Sequence, residues 1–140
     1  MRVVDASVAL KWFRAEAGSA EARALILTEP LIAPELILAE TLNAAWKAVR
    51  RGLMTSAQAD VLCAELPSCF ERFAPLAPLA AAAARIARIL DHPVYGCFYL
   101  ALAEREAAPV VTADVRLAGR VVGTAWADLV LLLQPAGAAS

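Results

Sequence analysis

Met1-Arg2-Val3-Val4-Asp5-Ala6-Ser7 is the stretch whose reading decides the fold. Val3 and Val4 are β-branched and favour a strand, the apolar run stops at Asp5, and residues 7–13 can begin a helix. Asp5 therefore stands at a strand-to-helix corner. In open α/β sheets such corners lie at the carboxyl ends of the strands, where ligands bind. Taken alone, the stretch has a simpler reading, in which Asp5 or Ser7 caps the first helix. The acids further along the chain bear on the choice.

Outward from this corner, short apolar strands alternate with helices. Residues 8–13 and 19–27 read as helices separated at Ala17-Gly18, with Ser19 as the N-cap of the second. Leu31-Ile32-Ala33 reads as a second strand, and Pro34 as a first-turn residue of a helix over 35–51. Within that helix Leu38, Leu42, Ala45, Trp46 and Val49 keep helical spacing, and Lys47, Arg50 and Arg51 load its last turn. Thr55-Ser56 caps a helix ending near Leu66, and Phe73 to Leu76 is a weak strand. Residues 80–90 and 95–107 are helical, Val110-Val111-Thr112 is a buried strand, and a short helix runs through Leu117 to Arg120. A last edge strand is expected over 121–127, and a final helical turn over 129–133. The alternation predicts an α/β fold whose mainly parallel sheet is covered on both faces.

The chain has 140 residues, close to the commonest size for one domain, and no Gly/Ser/Pro linker divides it. A single domain is expected over 1–134, followed by a flexible tail at 135–140. Hydrophobic residues make up 61% of the chain and the mean hydropathy is +0.60, more than one small core needs, so apolar surface should remain for a partner. Val8, Leu10, Trp12, Phe13, Leu36, Leu42 and Trp46 are the candidates for that surface. No uncharged run is long enough to span a bilayer, and the basic-then-apolar start of a signal peptide is absent. A soluble, cytoplasmic protein is expected. Cys63, Cys69 and Cys97 form no CxxC pair and His92 is the only histidine, which excludes a Cys/His zinc site and leaves reduced, buried thiols. A net charge of -1 exerts no overall pull on polyanions, so any such site is local.

The acids at the strand ends are the candidates for chemistry. Asp5 follows the first strand and Asp114 the strand at 110–112, so a parallel sheet places both carboxylates at one edge. Glu40 lies about two turns into the helix after the second strand, beside apolar Leu38 and Leu42, where a carboxylate needs a charged partner. Converging acids repel one another unless some stay protonated or a cation intervenes. A hard divalent ion, Mg2+ or Mn2+, suits oxygen ligands of this kind and commonly serves phosphate chemistry. The competing reading makes Asp5 and Asp114 unrelated helix caps and Glu40 a solvated residue.

Val-Val-Asp5-Ala-Ser7, Pro34-Glu-Leu-Ile-Leu-Ala-Glu40, Tyr95-Gly96-Cys-Phe-Tyr99-Leu-Ala-Leu-Ala-Glu104 and Val111-Thr-Ala-Asp114-Val-Arg116-Leu together resemble the PIN domain, in particular the VapC-type toxin ribonucleases of type II toxin–antitoxin systems. The resemblance runs from Met1 to about Leu132, with the four motifs in the family's order and at its spacing. It implies a three-layer α/β/α sandwich with an acidic pocket for magnesium or manganese, cleaving RNA. It assigns Asp5, Glu40 and Asp114 to acidic positions, and Ser7 and Thr112 to polar positions beside them. It also implies a homodimer and a small antitoxin partner. The chain departs from the family at Gly96, where an aspartate usually follows the tyrosine opening the Tyr-Leu-Ala-Leu-Ala helix. Gly96 supplies no ligand, so the metal site should be one charge short. Asp91, the nearest other acid, lies before Pro93 in a turn and is expected to cap or solvate that turn.

Under this reading the metal activates a water for cleavage, because His92, before a proline in a turn, completes no Ser-His-Asp or Cys-His nucleophile set. Arg14, Lys47, Arg50, Arg51, Arg116 and Arg120 are candidate RNA contacts, though basic residues at a helix end commonly only face solvent. An alternative is a catalytically dead PIN-like module that binds RNA or a protein without cleaving, which Gly96 favours. A phosphotransfer protein fits less well. An Asp-nucleophile phosphatase needs a second acid where Ser7 stands, and a receiver domain needs a late lysine, whereas the only lysines are Lys11 and Lys47.

Overall fold

A computed structural model of the protein describes residues 1–135. Its centre is a five-stranded sheet of β1 (Arg2–Val4), β2 (Leu31–Pro34), β3 (Arg72–Ala74), β4 (Val110–Thr112) and β5 (Val130–Leu132), in the order β3-β2-β1-β4-β5. Every neighbouring pair is parallel, with Val3 opposite Ile32 on one side and Val110 on the other. β2 and β4 are buried throughout, as are Val3 and Val4, because helices cover both faces. The fold is an α/β/α sandwich.

The helices are α1 (Ala6–Ala9), α2 (Ser19–Thr28), α3 (Leu36–Arg50), α4 (Ser56–Glu65), α5 (Ala80–Leu90), α6 (Val94–Glu106) and α7 (Val115–Arg120). α5 packs along α6, which lies against β1, β2 and β4, while α3 joins α1 and α4 in a second packed group. α6 is buried around much of its circumference, from Cys97 through Tyr99 to Ala103. At α4 the expected cap is a full capping box: Gln58 N donates to Thr55 Oγ1 at 3.1 Å, and Thr55 N to Gln58 Oε1 at 2.8 Å. Among the described residues, no helix is long and apolar enough to cross a membrane.

Several local expectations are corrected. The first helix is one α-turn, α1, tightening into a 3₁₀ turn at Leu10–Trp12. Gly18, at φ +87°, caps α2 in place of Ser19, whose hydroxyl donates to Arg14 O at 2.7 Å and accepts from Glu16 N at 3.0 Å. Pro34 ends β2 instead of starting α3; the chain rejoins the ladder at the next N–H, from Glu35 to Ala74 O at 2.9 Å. The last strand lies at 130–132 and not over 121–127. There the chain turns at Gly123 (φ +76°), with Thr124 Oγ1 donating to Val121 O at 2.6 Å. The apolar 129–133 run, expected as a helical turn, instead supplies β5, pairing with the otherwise open edge of β4. Of the tail expected at 135–140, all but Pro135 lies outside the described residues.

The candidate association surface also divides. Val8 and Trp12 belong to the core: the Trp12 ring packs tilted at 52° against Phe70 with centroids 5.5 Å apart, and its indole N–H donates to Ala22 O at 2.8 Å. Leu42 and Trp46 on α3 do face solvent, and the Arg50 guanidinium lies 4.8 Å from the Trp46 ring centroid. The three cysteines are free, and Cys63 is exposed on α4 rather than buried.

Candidate active site

β1 hands the chain to α1 at Asp5, and the carboxylate is buried there. Asp5 caps α1 by accepting from Val8 N at 3.3 Å. Ser7 Oγ donates to its Oδ1 and Thr112 Oγ1 to its Oδ2, each at 2.5 Å. Both hydroxyls are themselves anchored in the turn after β4, since Ala113 N donates to Ser7 Oγ at 2.9 Å and Asp114 N to Thr112 Oγ1 at 3.0 Å. Because β1 and β4 are neighbours, this brace ties the two strand ends together. Burial pushes the Asp5 carboxyl up to about 6 against these hydrogen bonds, and the charge of Asp114 adds to the rise.

Asp114 caps α7, its Oδ1 accepting from Arg116 N at 2.9 Å. Glu40 arrives from α3 and is held from α6, where Tyr99 Oη donates to Glu40 Oε1 at 2.6 Å. Partial burial raises the Glu40 carboxyl above its ordinary range, while the tyrosine bond opposes the rise. Burial first, then the charge of Glu40, push the Tyr99 hydroxyl well above 10, so it remains a donor.

Asp5, Glu40 and Asp114 line one cleft of about 610 Å³ together with Ser7, with Tyr95, Gly96 and Tyr99 of α6 and with His92 from the turn before it. Thr112 stands behind Asp5, fully buried. The expected acids thus share a cleft. Among the described residues, however, no three Asp, Glu, His or Cys side chains stand close enough to close on one metal ion as they are placed.

Gly96 is the third residue of α6, and a Cβ there would meet His92 Nε2 at 3.0 Å and Cδ2 at 3.2 Å. The imidazole therefore covers the position that carries no side chain. His92 is pulled below its ordinary pKa chiefly by burial; Asp114 opposes that, and Arg120 and Arg116 add to it. Asp91 ends α5 in a left-handed conformation (φ +50°) and does not line the cleft.

The basic candidates separate likewise. Arg116 and Arg120, one turn apart on α7, line the acidic cleft. Lys47, Arg50 and Arg51 line a different groove with Trp46, and Arg14 pairs with Glu16 at 3.2 Å. Tyr99 and His92 were not among the site residues expected from the sequence. A signal for Tyr99 existed in its spacing, three residues after Gly96 on the same helix face.

An acid-bearing corner at the carboxyl edge of a parallel sheet defines a class of α/β domain, and residues 2–121 match the PIN domain: this chain belongs to the PIN domain family. No curated protein matches it significantly in sequence. Among solved structures it is similar to PAE2754 from Pyrobaculum aerophilum, with a TM-score of 0.68 and 27% identity over 88% of this chain and 81% of that one. FitAcB from Neisseria gonorrhoeae shares the fold at a TM-score of 0.64 and 23% identity, covering 96% of this chain and 98% of that one. So does Mycobacterium tuberculosis VapC20, a sarcin-ricin loop cleaving toxin, at a TM-score of 0.64 and 18% identity over 85% of this chain and 95% of that one.

Proposed function

We propose that this protein is the toxin of a toxin–antitoxin pair, a divalent-metal-dependent endoribonuclease whose activity is weakened by Gly96. The observation that carries this reading is Asp5: a buried carboxylate, held by two hydroxyls and pushed up to about 6, facing a cleft shared with Glu40 and Asp114. Its burial leaves an uncompensated cost that a cation would offset. The activity named for VapC20 supports the choice of RNA as substrate.

The donor set is oxygen-rich and suits magnesium or manganese, which Asp5, Glu40 and Asp114 would hold. When bound, such an ion lowers the pKa of a coordinated water and offsets charge on the phosphate under attack. Ser7 and Thr112 fix both oxygens of Asp5, and Tyr99 fixes Glu40. Arg116 and Arg120 offer guanidinium groups to RNA phosphates at the same cleft. Exposed Leu42 and Trp46 fit a homodimer or an antitoxin contact, and a toxin that cleaves RNA would act in the cytoplasm.

A second reading, a PIN-like module that binds without cleaving, is favoured by Gly96 and by the separation of the carboxylates. RNA cleavage assays with magnesium or manganese separate the two. Slow, metal-dependent cleavage abolished by Asp5→Asn supports the nuclease. Tight RNA binding with no cleavage beyond that of Asp5→Asn overturns it in favour of the binding module.

A further inference from the structure

Among the described residues, two Phe, Tyr or Trp side chains are exposed, Tyr95 and Trp46. The Trp46 ring is engaged by the Arg50 guanidinium, in a groove away from the acids. Tyr95 is 58% exposed, and among the described residues it has neither a hydrogen bond nor a ring contact. It stands in the first turn of α6, one turn before Tyr99, and residues four apart share a helix face. Tyr99 is buried and holds Glu40, whereas Tyr95 lines the same cleft from its solvent side. The neighbouring helix α7 adds charge. Arg116 and Arg120 line that cleft too, both exposed, and among the described residues neither pairs with a carboxylate, whereas Arg14, Arg72 and Arg85 each pair with a glutamate. Val115 adds an exposed apolar side chain to the lining. A bare ring thus shares a cleft with two guanidinium groups that have no counter-charge.

An unpaired RNA strand carries both complements, a π face on every base and a charge on every phosphate. Resting on the reading of RNA as the substrate, we propose that Tyr95 is the platform on which an unpaired nucleobase stacks at the mouth of the cleft, while Arg116 and Arg120 hold phosphates of the same strand. In a duplex the base faces are covered by their neighbours, so the ring has nothing to stack on. Arginine contacts to phosphate remain open to a duplex and carry no sequence information. The ring therefore selects unpaired over paired RNA, and it accepts any base, because every base has a π face. A protein partner would also cover an exposed ring, but the two uncompensated guanidinium groups favour a polyanion.

The test measures binding of the full chain to a short fluorescein-labelled oligoadenylate, by anisotropy at low salt in chelator, where no cleavage competes. The comparison strands are the same oligonucleotide with abasic sites and a duplex of the same length. Tyr95→Ala is expected to weaken binding to the oligoadenylate on the order of tenfold, while Tyr95→Phe and Tyr95→Trp, which keep a stacking face, stay near wild type. The wild-type chain should bind the abasic strand as weakly as Tyr95→Ala binds the oligoadenylate, and Tyr95→Ala should leave duplex binding unchanged. Because stacking releases no counterions, the slope of log Kd against log salt should not move in Tyr95→Ala, in contrast to Arg116→Ala. Equal wild-type affinity for abasic and base-bearing strands, or a Tyr95→Ala loss as large on the duplex as on the single strand, overturns the proposal; binding that still depends on Arg116 and Arg120 then leaves the RNA reading standing. Wild-type RNA affinity in Tyr95→Ala together with a changed oligomeric mass in light scattering assigns the ring to a protein contact and overturns it as well. No binding of any RNA by the wild-type chain, in chelator or in manganese, overturns both readings.

Discussion

Replacing Asp5 by asparagine should stabilise the ion-free protein at neutral pH, although it removes a residue at the centre of the site. Burial raises the folded-state pKa of Asp5 from 3.8 to about 6, a shift of roughly two units, and each unit corresponds to about 1.4 kcal/mol. A raised carboxyl favours the protonated folded state, so its contribution is most favourable below pH 3.8 and falls by about 3 kcal/mol as pH rises through 6. Asparagine carries no charge to desolvate and does not titrate. Against this gain, Ser7 or Thr112 must accept from the new amide where it formerly donated, at a cost of about 1 kcal/mol. The net expectation at pH 7 is a gain of about 2 kcal/mol, shrinking towards zero or reversing near pH 4. Urea unfolding of both proteins from pH 4 to 8 in chelator measures it, because carboxylates remote from Asp5 cancel in the difference and the coupling to Asp114 is the smallest of the causes of the Asp5 shift. Adding manganese should reverse the order: binding to the native state at a hundredfold excess over Kd stabilises by about 2.7 kcal/mol, and only the wild-type chain should receive that benefit. A stability difference that does not change with pH, or an asparagine variant less stable than wild type at pH 7, would refute the assignment of a strained, buried charge.

The remaining predictions concern the rest of the cleft and the core. Tyr99→Phe removes the 2.6 Å bond to Glu40, so manganese affinity measured by calorimetry should drop several-fold while the melting temperature changes by only a few degrees; unchanged affinity would show that Glu40 is not used. Arg116→Ala and Arg120→Ala should each weaken RNA binding and lower the salt dependence of log Kd by roughly one phosphate contact, whereas changes at Lys47, Arg50 and Arg51 should not alter cleavage at the site. Thr41 has a buried hydroxyl without a partner among the described residues, so Thr41→Val should raise stability by about 1 kcal/mol in denaturant unfolding. Trp46→Glu should shift any homodimer towards monomer in light scattering; an unchanged mass would place the interface elsewhere.

Much of the architecture was written locally. Val3-Val4 before Asp5 and Val110-Val111-Thr112 before Asp114 mark two buried parallel strands, and parallel geometry by itself carries both acids to one edge. The spacing within residues 80–90 specified α5 to the residue, because propensity, periodicity and burial agree there. Less was legible at the C-terminal end. Residues 129–133 are apolar enough for helix or strand, and what made them a strand was the open edge of β4. Val8 and Trp12 could not be told from Leu42 and Trp46 by hydrophobicity, since only the packing of α1 against α3 decides which apolar groups meet water.

The site divides in the same way. Asp5, Glu40 and Asp114 stood out in the sequence as acids beside apolar strands and a helix face, a pattern that unrelated helix caps also fit, and the resemblance to the PIN domain singled them out as candidates. Ser7 and Thr112 followed from their places in the same motifs. The hydroxyl brace around Asp5 joins residues more than a hundred positions apart, and the Tyr99–Glu40 bond joins residues of two different helices. Their distances come into being only when the sheet is assembled. Gly96 could be read as an absence in the linear chain. That His92 fills this absence required the turn between α5 and α6, where a side chain's direction is set by backbone torsions and by the helices on either side, not by residue type.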